Sequence, residues 1–236
     1  MGNISCSCVK SPVENEQEEL SIKANFSDSP VGLAYSKHES ELVPPLKQAY
    51  MEFLNGREKK IKHLEIKDQE LGVRGCELLS LLIAELSNIR SIVLDNNQIG
   101  PQGAVKLANE FARLSSLKKL VISNNQLGDE GVTYIGTTFP YMSSLEELWL
   151  ESNGISDQGA IQLSEELREM DKLKRLSLRD NPIKKKGLRA LAGAVVNVEG
   201  FSSLKINLDL LKVKVLEEVH KLLPEVSIDD KALETE

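Results

Sequence analysis

The residue types that most often carry out chemistry are few and scattered in this chain. The three histidines, His38, His63 and His220, share no spacing with one another, with the cysteines or with the acidic residues. Metal sites and nucleophile–base pairs both need such groups in a common local pattern. The sequence also lacks the GxxxxGK[ST] phosphate-binding loop. We therefore expect no metal, no cofactor and no catalytic residue, and we interpret the protein as a non-enzyme.

The N-terminal residues carry a different kind of chemistry, because they resemble an acylation signal. Gly2 follows Met1, and Cys6 and Cys8 lie close behind it. Gly2 is placed for myristoylation, although the signal usually has serine or threonine where Cys6 stands. One myristoyl chain gives only marginal membrane binding, so we interpret Cys6 and Cys8 as palmitoylation sites that add a second anchor. The alternatives are an unmodified flexible tail with two ordinary cysteines, or a weak metal-binding pair that lacks two further ligands.

Composition and charge narrow the class of protein. With 236 residues and 41% hydrophobic content, the chain is long enough to bury one substantial core. The net charge of -7 provides no concentrated basic face, so we exclude nucleic acid as the main partner. An odd number of cysteines, no secretory leader and no long apolar run predict a cytoplasmic protein. If acylated, it is expected on the cytoplasmic face of a membrane.

A repeat of 28 residues organises most of the chain. Its units begin at Ile61, Ile89, Leu117, Leu145, Leu173 and Phe201. Apolar residues stand at positions 1, 4, 6 and 11 of each unit, and the alternation from position 4 to 6 indicates a strand. From position 15 onward the apolar spacing becomes helical. Each unit is therefore predicted to be a strand followed by a helix.

Two further positions of the unit have a structural interpretation. Position 9 is polar, and its side chains are expected to bond backbone groups where the chain turns inward. Position 15 is glycine in five units, which indicates that a larger residue lacks room or suitable torsions there. The position-9 residues are Gln69, Asn97, Asn125, Asn153, Asn181 and Asp209, and the glycines are Gly75, Gly103, Gly131, Gly159 and Gly187.

The strand–helix units are expected to stack on one another, because no single unit can bury its own apolar faces. We expect an α/β fold, a curved solenoid of about six strand–helix units with strands on the concave side. The predicted organisation is a flexible acylated tail over residues 1–40 and a helical N-terminal cap over 41–60. The repeat domain with its C-terminal cap then spans 61–228, and an acidic tail spans 229–236.

The segments LKKLVISNNQLGDEG and LEELWLESNGISDQG resemble leucine-rich repeats of the ribonuclease-inhibitor-like class. The resemblance covers about residues 61 to 210 and implies binding through the solenoid surface. The class also includes the activating protein of the Ran GTPase and the actin-capping tropomodulins. GTPase activation, with Arg90 or Arg179 as the nominated arginine, and cytoskeletal binding are therefore the alternatives to a simple binding module.

Positions 3, 5 and 7 of each strand point to the concave face. At position 5, Val93, Val121 and Trp149 predict an exposed apolar stripe that contains the only tryptophan of the chain. An exposed tryptophan ringed by charge is typical of a binding hot spot, although such residues also simply suit strands. We predict a monomeric adaptor or regulator that binds a protein partner here. The surrounding charged candidates are Lys119, Glu147, Glu151, Arg175 and Arg179.

Overall fold

The computed structural model describes residues 30–56, 61–206, 213–224 and 227–229. Within them, seven strands form one parallel sheet in chain order. The strands are β1 (His63–Glu65), β2 (Ser91–Val93), β3 (Lys119–Val121), β4 (Glu147–Trp149), β5 (Arg175–Ser177), β6 (Ser203–Lys205) and β7 (Ser227–Asp229). The helices are α1 (Pro30–His38), α2 (Pro44–Leu54), α3 (Gly72–Ile83), α4 (Gly100–Phe111), α5 (Gly128–Gly136), α6 (Asp157–Leu167), α7 (Lys185–Val195) and α8 (Val213–Leu222).

The strands pair in the register of the repeat. Leu120 pairs with Leu148, and Leu148 pairs with Leu176, so each step along the sheet advances the chain by one unit. Adjacent strands lie about 4.8 Å apart, whereas packed helices need about 8–10 Å. The stack must therefore curve with its strands on the inner side. The predicted α/β leucine-rich-repeat solenoid is confirmed.

One continuous apolar core lies between the sheet and the helices. Leu120 and Ile122 of the third unit are fully buried on the face of the sheet that packs against the helices. Leu107 and Phe111 are equally buried on the helix α4. Strand alternation and helical spacing thus direct both sets of side chains into the same core, as the periodicities predict.

A ladder of asparagines runs through the turns that follow the strands. The Asn125 Nδ2 atom donates to the carbonyls of Leu94 and Ser123, both at 2.7 Å. Its Oδ1 atom accepts from the backbone N–H of Asn97 at 2.9 Å. These bonds join neighbouring units and satisfy backbone groups that the turn leaves without strand partners. The predicted ladder is confirmed at Asn97, Asn125, Asn153 and Asn181.

The glycines at position 15 are required by a lack of space. A Cβ atom on Gly103 would lie 2.8 Å from Cγ2 of Ile99 and 3.0 Å from Sγ of Cys76. The glycine is therefore needed for close packing between one helix and its neighbour. Its φ is not positive, so backbone torsion is not the reason.

The N-terminal cap differs from the prediction at its start. The boundary between tail and cap was expected at residue 40, but α1 begins at Pro30. Val31 and Ala34 are buried there, and α1 packs against α2 and α3. Two buried side chains one turn apart are too weak a pattern to identify a helix from sequence. A helix is present within the predicted cap, where α2 buries Leu46, Tyr50 and Phe53.

Candidate protein-binding surface

Three apolar side chains form a row across the middle of the concave face. Val93 pairs with Val121, and Val121 pairs with Trp149, so parallel register brings all three side by side. We call these three residues the apolar row. Each of them is half-buried, so the apolar row is less exposed than the sequence predicts. At Trp149, Lys119 of the preceding unit and Lys205 of the second unit after it lie over the indole ring, where their stems can cover apolar surface.

Trp149 is the most constrained member of the apolar row. The Lys119 Nζ atom lies 5.8 Å from the centroid of the indole ring, and the Lys205 Nζ atom lies 5.3 Å from it. Both ammonium groups can therefore make cation–π contacts with the ring. The indole Nε1 atom is buried and has no hydrogen-bond acceptor among the described residues. A buried unpaired donor costs about 1–3 kcal/mol, so this tryptophan is not the residue that stability alone would favour.

The apolar row borders a pocket with a volume of about 420 Å³ on the N-terminal half of the sheet face. The pocket brings Lys119 together with the row, as the sequence predicts. The rest of its lining is mostly polar or charged and includes Glu65 and Asp95, which were not among the predicted site residues. Both occupy outward positions of the repeat, so the strand alternation was the signal that could have identified them.

The remaining predicted residues, Glu147, Glu151, Arg175 and Arg179, lie outside the lining of this pocket and make contacts within the protein. Glu147 lies between two cations, with its Oε2 atom 3.8 Å from Nζ of Lys119 and its Oε1 atom hydrogen-bonded by Arg175. The Glu151 carboxylate accepts a hydrogen bond from the Ser177 hydroxyl. These contacts hold the carboxylates against the sheet.

Arg179 is partly buried and also interacts within the protein. Glu151 is tied to the sheet by its backbone as well, because its N–H donates to the hydroxyl of Ser123 at 3.2 Å. The predicted charged residues are therefore parts of an intramolecular network rather than independent surface charges.

A further carboxylate, which was not among the predicted site residues, lies one residue before β4. Glu146 binds Nζ of Lys118 at 2.7 Å through one oxygen and Nζ of Lys174 at 2.8 Å through the other. Hydrogen bonds from Lys118 and Lys174 lower the pKa of Glu146 to about 2. The same register that aligns the strands aligns these three side chains. Position 2 of the repeat therefore carried the signal.

The described residues contain no group of three or more histidine, cysteine or acidic side chains that could hold a metal ion. Cys76 is buried, and burial raises the pKa of its thiol to about 12. None of the described helices has the length and apolar character needed to cross a membrane. The predicted acylation sites Gly2, Cys6 and Cys8 lie outside the described residues.

The fold and this surface define a leucine-rich-repeat solenoid, a fold used as a protein-interaction module. A family described as Leucine Rich repeat matches residues 85–108, 113–136, 141–164 and 171–192. The matched segments cover the strands and most of the helices of the second to fifth units. The sixth unit and all but the last four residues of the first, which depart from the repeat pattern, lie outside them. The comparison with curated proteins finds no match.

Proposed function

We propose that this protein is a membrane-tethered adaptor or regulator of the ribonuclease-inhibitor-like class that binds one protein partner without catalysis. The observation that carries the proposal is the apolar row beside its pocket on the concave face. A half-buried tryptophan next to a cavity offers an incoming side chain a site that becomes fully desolvated on binding. The unpaired indole nitrogen supports the view that Trp149 serves binding at some cost in stability.

The test of the binding surface is Trp149→Ala in the full chain. Proximity labelling in cells should lose a defined set of proteins with this variant, because a buried aromatic anchor contributes about 2 kcal/mol or more, roughly thirtyfold in affinity. Tyr141→Ala is the matched control, since Tyr141 is an exposed aromatic side chain on the helical side of the solenoid. It should keep the same set of labelled proteins.

Circular dichroism must first show that both variants retain the helical signal and cooperative unfolding of the parent. If the folded Trp149→Ala variant labels the same proteins as the parent, the concave surface is not the binding site. A GTPase or an actin-associated protein in the lost set would direct attention to the alternative functions of the class.

The tether is proposed from Gly2, Cys6 and Cys8, whose order and spacing resemble a dual acylation signal. Two acyl chains are needed because a single myristoyl group binds membranes only reversibly. The proposed location is thus the cytoplasmic face of a membrane, with the protein acting as a monomer.

Gly2→Ala should move the protein from the membrane fraction to the soluble fraction and abolish labelling with a myristate analogue. A Cys6→Ser, Cys8→Ser double variant should keep the myristate label but lose most membrane retention, because one chain remains. Asn3→Ala in the same segment serves as control and should partition like the parent. Equal partitioning of Gly2→Ala and the parent would exclude this tether.

A further inference from the structure

The charged side chains at the starts of β3, β4 and β5 are arranged in two layers. Glu146 is 27% exposed, whereas its partners Lys118 and Lys174 are 56% and 52% exposed. Glu147 is 20% exposed, whereas Lys119 and Arg175 are 42% and 52% exposed. The carboxylates are thus held low against the sheet while the cations extend outward. Any approaching molecule meets the basic groups first.

We call Lys118, Lys119, Lys174 and Arg175 the basic cluster. These four cations surround two carboxylates, so the group carries a net charge of two positive units in a protein whose overall charge is -7. Lys205 of β6 adds another cation, which lies over the indole ring of Trp149. The alternating charge signs of the sequence therefore become a net positive surface in three dimensions.

The opposite end of the pocket has a different charge. There Glu65 forms an ion pair with Lys67 at 2.7 Å, and Asp95 accepts a hydrogen bond from Asn124 Nδ2 at 2.9 Å. This end has no excess of positive charge. The concave face thus places apolar surface in the middle and net positive charge on the side of β3 to β5.

We infer that the partner presents an acidic segment that contains a large apolar side chain. The apolar side chain enters the pocket beside Val93, Val121 and Trp149, and the neighbouring carboxylates contact the basic cluster. This inference rests on the proposed function and specifies the partner of the same surface. A flat anionic membrane is a poorer fit, because Lys119 and Arg175 of the cluster stand at strand positions on the concave face of a curved solenoid, whereas a protein segment can enter the curve.

The first experiment uses the full chain and the fluorescence of Trp149, which is its only tryptophan. The probe is a tryptophan-free peptide with a leucine between two pairs of glutamates. It should produce a saturable change in emission that weakens as salt is added. Two control peptides, one with lysines in place of glutamates and one with serine in place of leucine, should bind at least tenfold more weakly.

Variants of the basic cluster and its carboxylates should shift this affinity in opposite directions. Arg175→Gln removes a protruding cation and should lower the affinity for the acidic peptide by about threefold, the usual effect of one exposed charge contact. Glu147→Gln removes the negative charge beneath the cluster and should strengthen binding by about threefold. Lys186→Gln, at an exposed position on α7, should leave the affinity unchanged.

A merely structural role of these residues would not produce opposite effects from Arg175→Gln and Glu147→Gln. Equal binding of the acidic and lysine peptides would overturn the inference, and so would charge-dependent binding of phosphatidylserine vesicles without peptide binding. If the peptide fails while Trp149→Ala still removes cellular partners, the partner class is wrong and the proposed function stands. If Trp149→Ala has no effect either, the binding surface itself is wrong.

Discussion

At the scale of single residues, Glu146 illustrates how the repeat creates contacts between side chains far apart in sequence. Its two oxygens bind lysines of the preceding and following units. Exposed ion pairs of this kind contribute about 0–1 kcal/mol each, since water competes for both charges. Their main consequence is to determine which charges reach the outer layer of the binding surface.

Because the pKa of Glu146 is lowered, its contact with the two lysines can be tested by changing the pH. Because the folded-state pKa is about 2 against an ordinary value of 4.5, the ionised carboxylate stabilises the folded protein above pH 4.5. That contribution is lost as the pH falls from about 4.5 to about 2. Glu146→Gln should therefore lower the melting temperature at pH 7 but not at pH 2.

The measurement is thermal unfolding followed by circular dichroism at low salt from pH 7 to pH 2. Glu165→Gln, at an exposed position on α6, is the control and should show no pH-dependent difference from the parent. A difference between Glu146→Gln and the parent that stays constant over this range would mean that the lysine contacts do not form in solution.

At the scale of elements, the strand–helix unit varies in how its helix begins. Helices α3, α4 and α5 start at a glycine with positive φ, for example +62° at Gly100. Helix α6 starts one position later, after Ser156, whose hydroxyl accepts from the N–H of Gln158 at 3.1 Å. The serine cap supplies a side-chain hydrogen bond to the helix N-terminus that the glycine turn does not. Serine and glycine therefore start the helix in two different ways at the same position of the repeat.

Glycine to alanine substitutions distinguish packing from helix propensity. Gly103→Ala should lower the free energy of unfolding by about 2 kcal/mol, because the new methyl group would overlap Ile99 and Cys76. Gly193→Ala on α7 should raise it by about 1 kcal/mol, since a Cβ there meets nothing within 4 Å. Chemical denaturation measures both values. Similar changes for the two variants would show that crowding does not determine position 15.

At the scale of the whole molecule, the units are stable only as a stack. A single apolar core extends from Val31 of α1 to Val219 of α8, and each unit contributes to the interfaces on both sides. The asparagine ladder joins the same units through buried hydrogen bonds. Loss of one ladder residue should therefore destabilise the array and not merely one turn.

Asn125→Ala should lower the free energy of unfolding by about 3 kcal/mol. It leaves the carbonyls of Leu94 and Ser123 and the N–H of Asn97 without this partner in the buried turn region. Asn109→Ala, at an exposed position on α4, is the control and should cause no loss. The measurement is urea unfolding, followed by both the fluorescence of Trp149 and the helical circular dichroism signal. An equal unfolding midpoint for Asn125→Ala and the control would contradict this interpretation.

The site could be only partly predicted from sequence. Strand alternation correctly placed Val93, Val121 and Trp149 on one face, and the repeat correctly made them neighbours. It did not indicate the half-buried state of Trp149, because that depends on how Lys119 and Lys205 lie over the indole ring. The buried apolar side chains of α1, Val31 and Ala34, were missed for a related reason, since their apolar pattern is clear only against the helices that cover it.

The sequence by itself determined the strand–helix unit, its register, the polar ladder and the close-packed glycines, because each depends on periodic positions within about one repeat. Only the tertiary structure decided which charges are outermost beside Trp149. Glu147 is low and Arg175 is high on the surface because residues 28 positions apart meet across β4 and β5. Side-chain length and hydrogen-bond geometry between neighbouring units determine that order, and neither is visible in the periodicity of one chain.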